Sequence, residues 1–473
     1  MDKMLVEELP FPADPLDLYG PLRHQPHPFL LESALEHPEL GRYSFLGTDP
    51  FCVLQDREGV AEAAGEVGGR WEGGIFAALS SLLPRFRLPR RPEWPPLAGG
   101  AVGYFGYDLA RQLERLPQKN AAGPGLPDAT VGLYDVVICL DHAARRAWLV
   151  STGLPERGAA AKERALRRAW QVRRILTVPA PTPAGMRVVG PVRSNFSRQA
   201  YEAAVARVIE YIRAGDVFQV NLSQRWTARV ATDPLAFYRR LRLASPAPFA
   251  ALLELPEGAV ISSSPERFLK VSGRRAETRP IKGTRPRGDD PAADAALRSE
   301  LLSSAKDRAE LLMIVDLMRN DLGKVCRYGS VRTRRLHHLE PYPGVFHLDA
   351  TVTGQLAQGR GVVDLVRACF PGGSITGAPK VRAMEIIEEL EPVRRGVYTG
   401  ALGYLSFSGQ ADLAMAIRTA VQYRDQLWVQ AGGGIVADSD PAAEYRETWH
   451  KAAGMLRALG VTKEEVAGLA GLS

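Results

Sequence analysis

The sequence predicts a globular protein that mixes helices with strands and is too large for one simple core. Three observations carry that prediction. The chain has 473 residues, well past the length at which a single hydrophobic core stops growing, so two or more subdomains are expected. Hydrophobic residues make up 45% and charged residues 24% of it, as in ordinary soluble domains. After residue 197, helical and strand signals intermingle without a clean βαβ period, and there is no internal repeat.

Composition also removes function classes. The net charge of +7, from 60 Lys and Arg against 53 Asp and Glu, is a mild excess that suits small anionic ligands. No dense basic run with interleaved aromatics occurs, so no nucleic-acid partner is expected. Cys52, Cys139, Cys326 and Cys369 lie far apart and form no CxxC pair. Free buried thiols in a reducing cytosol are therefore expected, not a zinc cluster or a disulfide framework. The first ten residues lack the apolar core of a signal peptide, and no apolar run is long enough to span a bilayer. The expectation is a cytoplasmic protein with no membrane partner.

Residues 1–177 read as an N-terminal region of short strands broken by Pro and Gly. Its compact signals are 29–33, 42–47 and the glycine-rich 99–108, where glycine permits close approach of neighbouring strands. Residues 131–150 read as two strands meeting near Asp141 and His142. Residues 160–176 predict a basic amphipathic helix with Ala165, Ala169, Val172 and Leu176 on one side and a solvated basic face. The stretch 178–193 holds four prolines and two glycines and is the linker candidate. Beyond it, 194–465 carries the chemistry. Ser197 predicts an N-cap for a helix built on Tyr201, Val205, Val208, Ile209 and Ile212; Gly215 stops it, and 217–222 follows as a strand.

The chemical centre is 278–288, Thr-Arg-Pro-Ile-Lys-Gly-Thr-Arg-Pro-Arg-Gly. Lys282 stands there among Arg279, Arg285 and Arg287, and cations nearby ease loss of its proton. A neutral amine is a nucleophile, and Glu266, sixteen residues upstream, is a candidate acid/base partner. The alternative is an arginine-rich surface turn. Asp307 and Glu310 share a face near the start of a helix over 306–321 that looks apolar over most of its circumference, hence buried. Glu444 and Glu447 repeat that spacing behind Asp440 and Pro441, an N-cap and first helical residue. Two such pairs offer an all-oxygen site for Mg²⁺; alternatively they complement helix dipoles or bind arginines. Residues 371–380, Pro-Gly-Gly-Ser-Ile-Thr-Gly-Ala-Pro-Lys, have Walker A glycine spacing, but Ala378 replaces the lysine that motif demands, which excludes a nucleotide P-loop. What remains is a glycine-rich turn opening a helix, suited to an anion. Gly432, Gly433 and Gly434 let backbone amides close on an anion. Arg418 reads as a lone cation in an apolar strand, either an inward anion ligand or a paired structural arginine.

These motifs together resemble the chorismate-utilising enzymes: anthranilate synthase component I, aminodeoxychorismate synthase component I, isochorismate synthase and salicylate synthase. The likeness is dense over about 195–460, through 264–268, 306–310, 315–321, 377–380 and 444–448, and looser through 30–33 and 103–108. Within the family, aminodeoxychorismate synthases look like Pro-Ile-Lys-Gly-Thr where anthranilate synthases look like Pro-Ile-Ala-Gly-Thr. This chain has Pro280-Ile281-Lys282-Gly283-Thr284. The resemblance implies an α+β sandwich, two sheet-containing halves flanked by helices and forming one intertwined body. It implies Lys282 as nucleophile on chorismate, Glu266 as general acid/base, and His347 as a further active-site residue. Tyr398, Arg418, Gly432, Gly434, Thr376 and Lys380 match substrate-holding positions. Mg²⁺ is implied on Glu310 and Glu447, with Asp307 and Glu444 in or near its shell. Ammonia would come from a separate glutamine amidotransferase subunit. A regulatory pocket is implied at Leu31, Glu32, Ser33, Tyr43, Pro248 and Phe249, able to hold tryptophan. Feedback-inhibited relatives look like Pro-Tyr-Met where this chain has Pro248-Phe249-Ala250, so strong inhibition is not expected.

Overall fold

The computed structural model describes residues 4–462 except 36–38, 121, 122, 124, 180–184 and 343. Its strands form two large antiparallel sheets, one of 13 strands and one of 12. Both draw on the chain before and after the linker candidate. In the first sheet Phe29–Glu32 pairs with Phe249–Leu255, and in the second Gly100–Phe105 pairs with Ala401–Ser406. The two halves are thus woven into one α+β body. Part of the linker candidate, and residues 463–465 of the predicted catalytic region, fall outside the described residues.

Three apolar clusters define the layers. One packs the first sheet against helices such as Arg198–Arg213, Pro234–Ala244 and Pro441–Ala458. A second packs the other sheet against Gly74–Leu82 and Ala305–Gly323. The third, with Phe29, Phe45, Tyr104, Val260 and Leu402, is built of strand and loop residues between the sheets. Glycine permits the closest contacts, as predicted for 99–108: a Cβ on Gly103 would sit 2.0 Å from the Thr130 carbonyl oxygen.

Local readings hold where a cap or period decides them. Ser197 accepts the Ala200 amide at 3.1 Å to open Arg198–Arg213, and Gly215 follows with φ of 84°. All four cysteines are free and buried. No helix among the described residues is long and apolar enough to cross a membrane.

Other readings need correction. The stretch 131–150 belongs to three strands, Ala129–Tyr134, Val136–Asp141 and Arg146–Ser151, because Asp135 breaks the first run. The Asp135 carboxylate is buried against Arg164 and Arg168 at 3.2 Å each. Those arginines lie on the helix Gly158–Leu176, so its basic face is partly buried and ion-paired, not simply solvated. The strand read at 217–222 runs Gln219–Ala231. The helix Ala305–Gly323 is not buried all round: Leu312 is 47% exposed, and Asp316 and Arg319 face solvent.

Candidate active site

The site forms where the chain twice passes between the sheets. Gly258–Ser264 belongs to the first sheet and Arg267–Ser272 to the second, and Glu266 stands in the passage between them. Ala411–Met415 belongs to the second and Thr419–Tyr423 to the first, with Arg418 in the return passage. The passages lie side by side: the Met415 amide donates to the Glu266 carbonyl and the Ser263 amide to the Arg418 carbonyl, both at 3.0 Å. Arg418 is therefore not within a strand, as its apolar neighbours predicted. It adopts a left-handed φ of 52°, and Thr399 has a φ of 60°. For a β-branched residue that is a strained backbone, and such strain persists only where surrounding structure imposes it.

Lys282 lies on Ile281–Pro286 and makes no hydrogen bond or ion pair among the described residues. Its side chain keeps some exposure to the cleft yet lies deep among protein atoms. Burial lowers its pKa, and the Lys451 ammonium pushes the same way, while Glu310, Glu266 and Glu447 oppose them. The cations predicted to crowd it do not act. Arg279 is tied to Asp349 at 2.8 Å, Arg285 to Glu300 at 2.7 Å, and Arg287 to Asp294 at 2.7 Å. The pairing is irregular between Lys282 and Thr284, and Arg279 lies on the preceding strand, Arg275–Arg279. The cation that matters comes from the C-terminal helix, 169 residues further along (451 minus 282).

Glu266 is buried and accepts the Ser374 hydroxyl at 2.6 Å. Desolvation pushes its carboxyl up to about 7, against the pull of Ser374, Lys282 and Lys451. A carboxyl poised there can both give and take a proton near neutrality. His347 pairs its Nδ1 with the Thr284 hydroxyl at 2.9 Å. Burial, then the Arg418 charge, pulls its imidazole down to about 4, so it is neutral at physiological pH.

Arg418 is not paired as a structural arginine would be. Its guanidinium is deep in the molecule with no hydrogen bond or ion pair among the described residues, and burial lowers its pKa. Tyr398 is its electrostatic neighbour, and burial holds that phenol well above its usual range. The glycine strand Gln426–Ile435 completes the pattern. Gly434 and Gly432 face Asn221 and Ser223 across the ladder. Yet Asn221 donates its amide to the Thr376 carbonyl at 2.7 Å, and Ser223 donates to Glu391 at 2.8 Å. These are therefore non-hydrogen-bonded pairs, and the Gly432 and Gly434 amides point to the opposite edge. Pairing on that edge reaches no further than Val429. A Cβ on Gly434 would sit 3.0 Å from Lys282 Nζ, so glycine lets the amine approach.

Two predicted substrate residues are committed elsewhere. Lys380 donates to Asp321 at 2.5 Å and to the Cys369 carbonyl at 3.1 Å, anchoring its own helix. Thr376 is fully buried, with its hydroxyl donating to the Gly372 carbonyl at 3.0 Å, so it shapes the loop.

The carboxylate pairs lie on two helices, Ala305–Gly323 and Pro441–Ala458. Glu447 and Asp307 each raise the pKa of Glu310, after burial, while Lys282 and Lys306 lower it. Glu310 makes no hydrogen bond or ion pair among the described residues. Glu444 accepts the Ser439 hydroxyl through Oε1 at 2.6 Å, and its buried Oε2 has no partner. Both Glu444 and Glu447 face Gly433, at 2.9 and 3.8 Å from its hypothetical Cβ. Asp307 is instead paired with Arg285 at 3.1 Å. An orphaned buried carboxylate oxygen and an unpaired carboxylate nearby fit a hard divalent cation. Among the described residues, no three of these four carboxylates bring their oxygens within 4.8 Å of one another, so an ion there would take its other ligands from water.

Sequence reasoning missed Lys451 and Gln219. Lys451 pairs with Glu447 at 2.6 Å and donates to the Gly432 carbonyl at 3.0 Å; its i,i+4 spacing from Glu447 was a usable signal. Gln219, fully buried with both side-chain amide atoms unpartnered, sits beside Lys282 because Gln219–Ala231 pairs with the glycine strand. Nothing in its own segment marks it.

The six residues of the expected regulatory pocket meet elsewhere. Leu31, Glu32, Ser33, Tyr43, Pro248 and Phe249 all line one cavity of about 320 Å³, with Lys270, Arg267 and Tyr404 opposite.

Comparison with known proteins agrees in extent. Residues 28–457 match the model of the chorismate binding enzyme family. Aminodeoxychorismate synthase component 1 of Klebsiella aerogenes is 43% identical over 446 residues, 94% of this chain and 96% of that protein. Anthranilate synthase component 1 of Thermus thermophilus is 44% identical over 438 residues, 92% of each. Among solved structures, anthranilate synthase component I from Streptococcus pneumoniae superposes with a TM-score of 0.77 at 34% identity, covering 89% of this chain and 93% of that one. The menaquinone-specific isochorismate synthase from Escherichia coli shares the fold, with a TM-score of 0.72 at 18% identity, covering 96% and 94%.

Proposed function

We propose that this chain, which belongs to the family of chorismate-binding enzymes, converts chorismate and ammonia to 4-amino-4-deoxychorismate. The observation that carries the reading is Lys282, an amine without an ion-pair partner, depressed in pKa by burial and placed against the glycine strand. Lys282 Nζ adds to C2 of the ring; both ring double bonds shift toward C4, and the C4 hydroxyl departs as water with a proton from Glu266. Glu266, now a carboxylate, takes a proton from incoming ammonia as nitrogen bonds to C4. Both double bonds return as the C2–Nζ bond breaks, and Lys282 leaves as the free amine. The balance is chorismate plus ammonia to aminodeoxychorismate plus water.

Arg418, Tyr398 and the Gly432 and Gly434 amides hold the substrate's carboxylates. Neutral His347 leaves Arg418 as the cation beside it and pairs with the Thr284 hydroxyl, two residues from Lys282. Glu310, Glu444 and Glu447 would hold Mg²⁺, which when bound supplies positive charge to an anionic ring carboxylate. Ammonia comes from a glutamine amidotransferase subunit, the second component implied by relatives named component 1. The separate cavity takes tryptophan as a structural ligand.

A second reading is supported by the equal likeness to anthranilate synthases: in it the product aromatises and expels pyruvate. Chorismate, Mg²⁺ and ammonium at mildly alkaline pH, with aminodeoxychorismate lyase added to half, separate the two. The expected outcome is 4-aminobenzoate in the lyase half alone. Anthranilate and pyruvate without lyase would overturn the proposal. Lys282→Ala should lower turnover by roughly 10⁴-fold or more with its thermal midpoint unchanged, and normal turnover would refute the covalent route.

A further inference from the structure

We propose a second metal site, for a zinc-class divalent cation, formed by His338, Glu340 and Asp349, distinct from the carboxylates assigned to Mg²⁺. Side chains alternate along a strand, so His338 and Glu340 share one face of Arg332–Pro341. On the paired strand Val345–Gln355, Asp349 stands directly opposite His338. The candidate ligand atoms of the three residues all lie within 4.8 Å of one another. His338 Nδ1 is 3.4 Å from an Asp349 oxygen and 3.7 Å from a Glu340 oxygen. Ligands held at about 2.0–2.1 Å around a tetrahedral zinc stand roughly 3.3 Å apart, so the spacing fits without rearranging the strands.

A second observation points to a ligand. His338 Nδ1 and Asp349 Oδ1 are buried and face each other at 3.4 Å, neither making a hydrogen bond, and the Asp349 side chain is only 2% exposed. A buried carboxylate oxygen left in that state is costly. The other Asp349 oxygen accepts from Arg279 Nε at 2.9 Å, and Arg279 also contacts Glu340 and Glu39. Arg335 shares Glu39 at 2.7 Å. Asp349, Glu340 and Glu39 thus converge on Arg279 and Arg335, and the second Asp349 oxygen is left facing His338. An imidazole nitrogen between two carboxylates favours zinc over magnesium, which prefers all-oxygen shells. The His338 side chain is 38% exposed, which leaves a path from solvent. A bound ion would cross-link the two strands and share the carboxylates that hold Arg279, three residues before Lys282.

Cobalt(II), a visible reporter for zinc sites, tests this on the full chain. The expected result is one equivalent giving ligand-field absorption bands that zinc abolishes. Those bands should persist in Glu310→Gln/Glu447→Gln. His338→Ala and Asp349→Asn should weaken cobalt affinity at least tenfold. Thermal midpoints confirm folding, and His338→Ala alone suffices if Asp349→Asn does not fold, because His338 is partly exposed. Unchanged affinity in His338→Ala, bands lost in Glu310→Gln/Glu447→Gln, or no binding at millimolar cobalt would each overturn the proposal.

Discussion

Arg395 and Arg418 both reach Tyr398, one across its ring face at 5.8 Å and the other as its electrostatic neighbour. Arg395 bonds Glu391 at 2.7 and 2.9 Å, the Asn221 and Ile375 carbonyls at 2.8 and 2.9 Å, and Thr399 at 3.2 Å. Arg418, equally deep, bonds nothing among the described residues. The same side chain is therefore fully bonded within the protein in one place and left without a bond among the described residues in the other. Burial does not separate them; the presence of a protein partner does. Lys380 and Lys282 repeat the contrast, one anchored to Asp321 and the other unpaired.

Exchanging the roles tests that contrast most severely. Arg395→Met leaves Glu391 buried without its partner and should cost about 3–5 kcal/mol of stability. Arg418→Met removes a cation that nothing neutralises, so its thermal midpoint should hold or rise. Its kcat/KM for chorismate should fall by roughly 10²-fold or more, since a lost charged contact costs about 2–5 kcal/mol. Thermal scans and steady-state kinetics of both variants decide. Equal destabilisation by the two substitutions would break the comparison.

Much of this was legible before any coordinates. Caps and periodicity placed Arg198–Arg213 and Pro441–Ala458, because a helix is decided within a few residues. The carboxylate pairs on two helices and the three glycines were marked by residue type at fixed spacing, and Lys282 by the likeness of Pro280-Ile281-Lys282-Gly283-Thr284 to the family. What the sequence could not carry was partnership across the fold. The arginines beside Lys282 in sequence turn away from it, while Lys451 arrives from the far end of the chain. Lys380 looked like a substrate lysine until Asp321 met it. The backbone of Arg418 at the passage between sheets reads as strand locally, since its neighbours are apolar for the sake of both sheets.

A smaller test concerns Glu266, whose carboxyl has a hydroxyl partner but no cation in direct contact. Its folded pKa of about 7 lies above the ordinary 4.5, so folding favours its protonated form. The stability this confers is full below pH 4.5 and is lost as pH rises through 7. The loss is at most about 3 kcal/mol, at 1.36 kcal/mol per unit. Glu266→Gln mimics the protonated form and should match the parent near pH 4.5, then exceed it increasingly up to pH 8. Denaturant midpoints across that range measure it, and parallel curves would show that the carboxyl is not perturbed.

Glu444 sharpens the comparison with a carboxylate. Its orphaned Oε2 should be the oxygen that answers to Mg²⁺, so Glu444→Gln should raise the Mg²⁺ concentration for half-maximal rate roughly 10–100-fold. Saturating Mg²⁺ should largely restore kcat. An unchanged requirement would reassign that oxygen to the fold.

The smallest effect is expected in the separate cavity, where the same rule predicts binding without control. Glu32 there is held by Tyr238 and by Arg242 at 2.9 Å, and Ser33 donates to the Tyr43 carbonyl at 2.8 Å. Lys270 makes no ion pair or hydrogen bond among the described residues; its cross-strand neighbours Glu277 and Asp412 are bound to Arg267 at 3.4 and 2.9 Å. One unpaired cation can receive a ligand carboxylate, and Phe249 and Tyr404 offer aromatic walls. Tryptophan at about ten times its Kd should therefore stabilise the chain by about 1.4 kcal/mol, read as a rise of a few degrees in thermal midpoint. Phe249→Ala should remove most of that rise. The rate with chorismate should stay within twofold, because Glu32, the carboxylate that could respond to a ligand amine, is already committed to Tyr238 and Arg242. Inhibition beyond tenfold would mean that ligand binding dislodges Glu32, and that its partnership with Tyr238 and Arg242 does not fix its role.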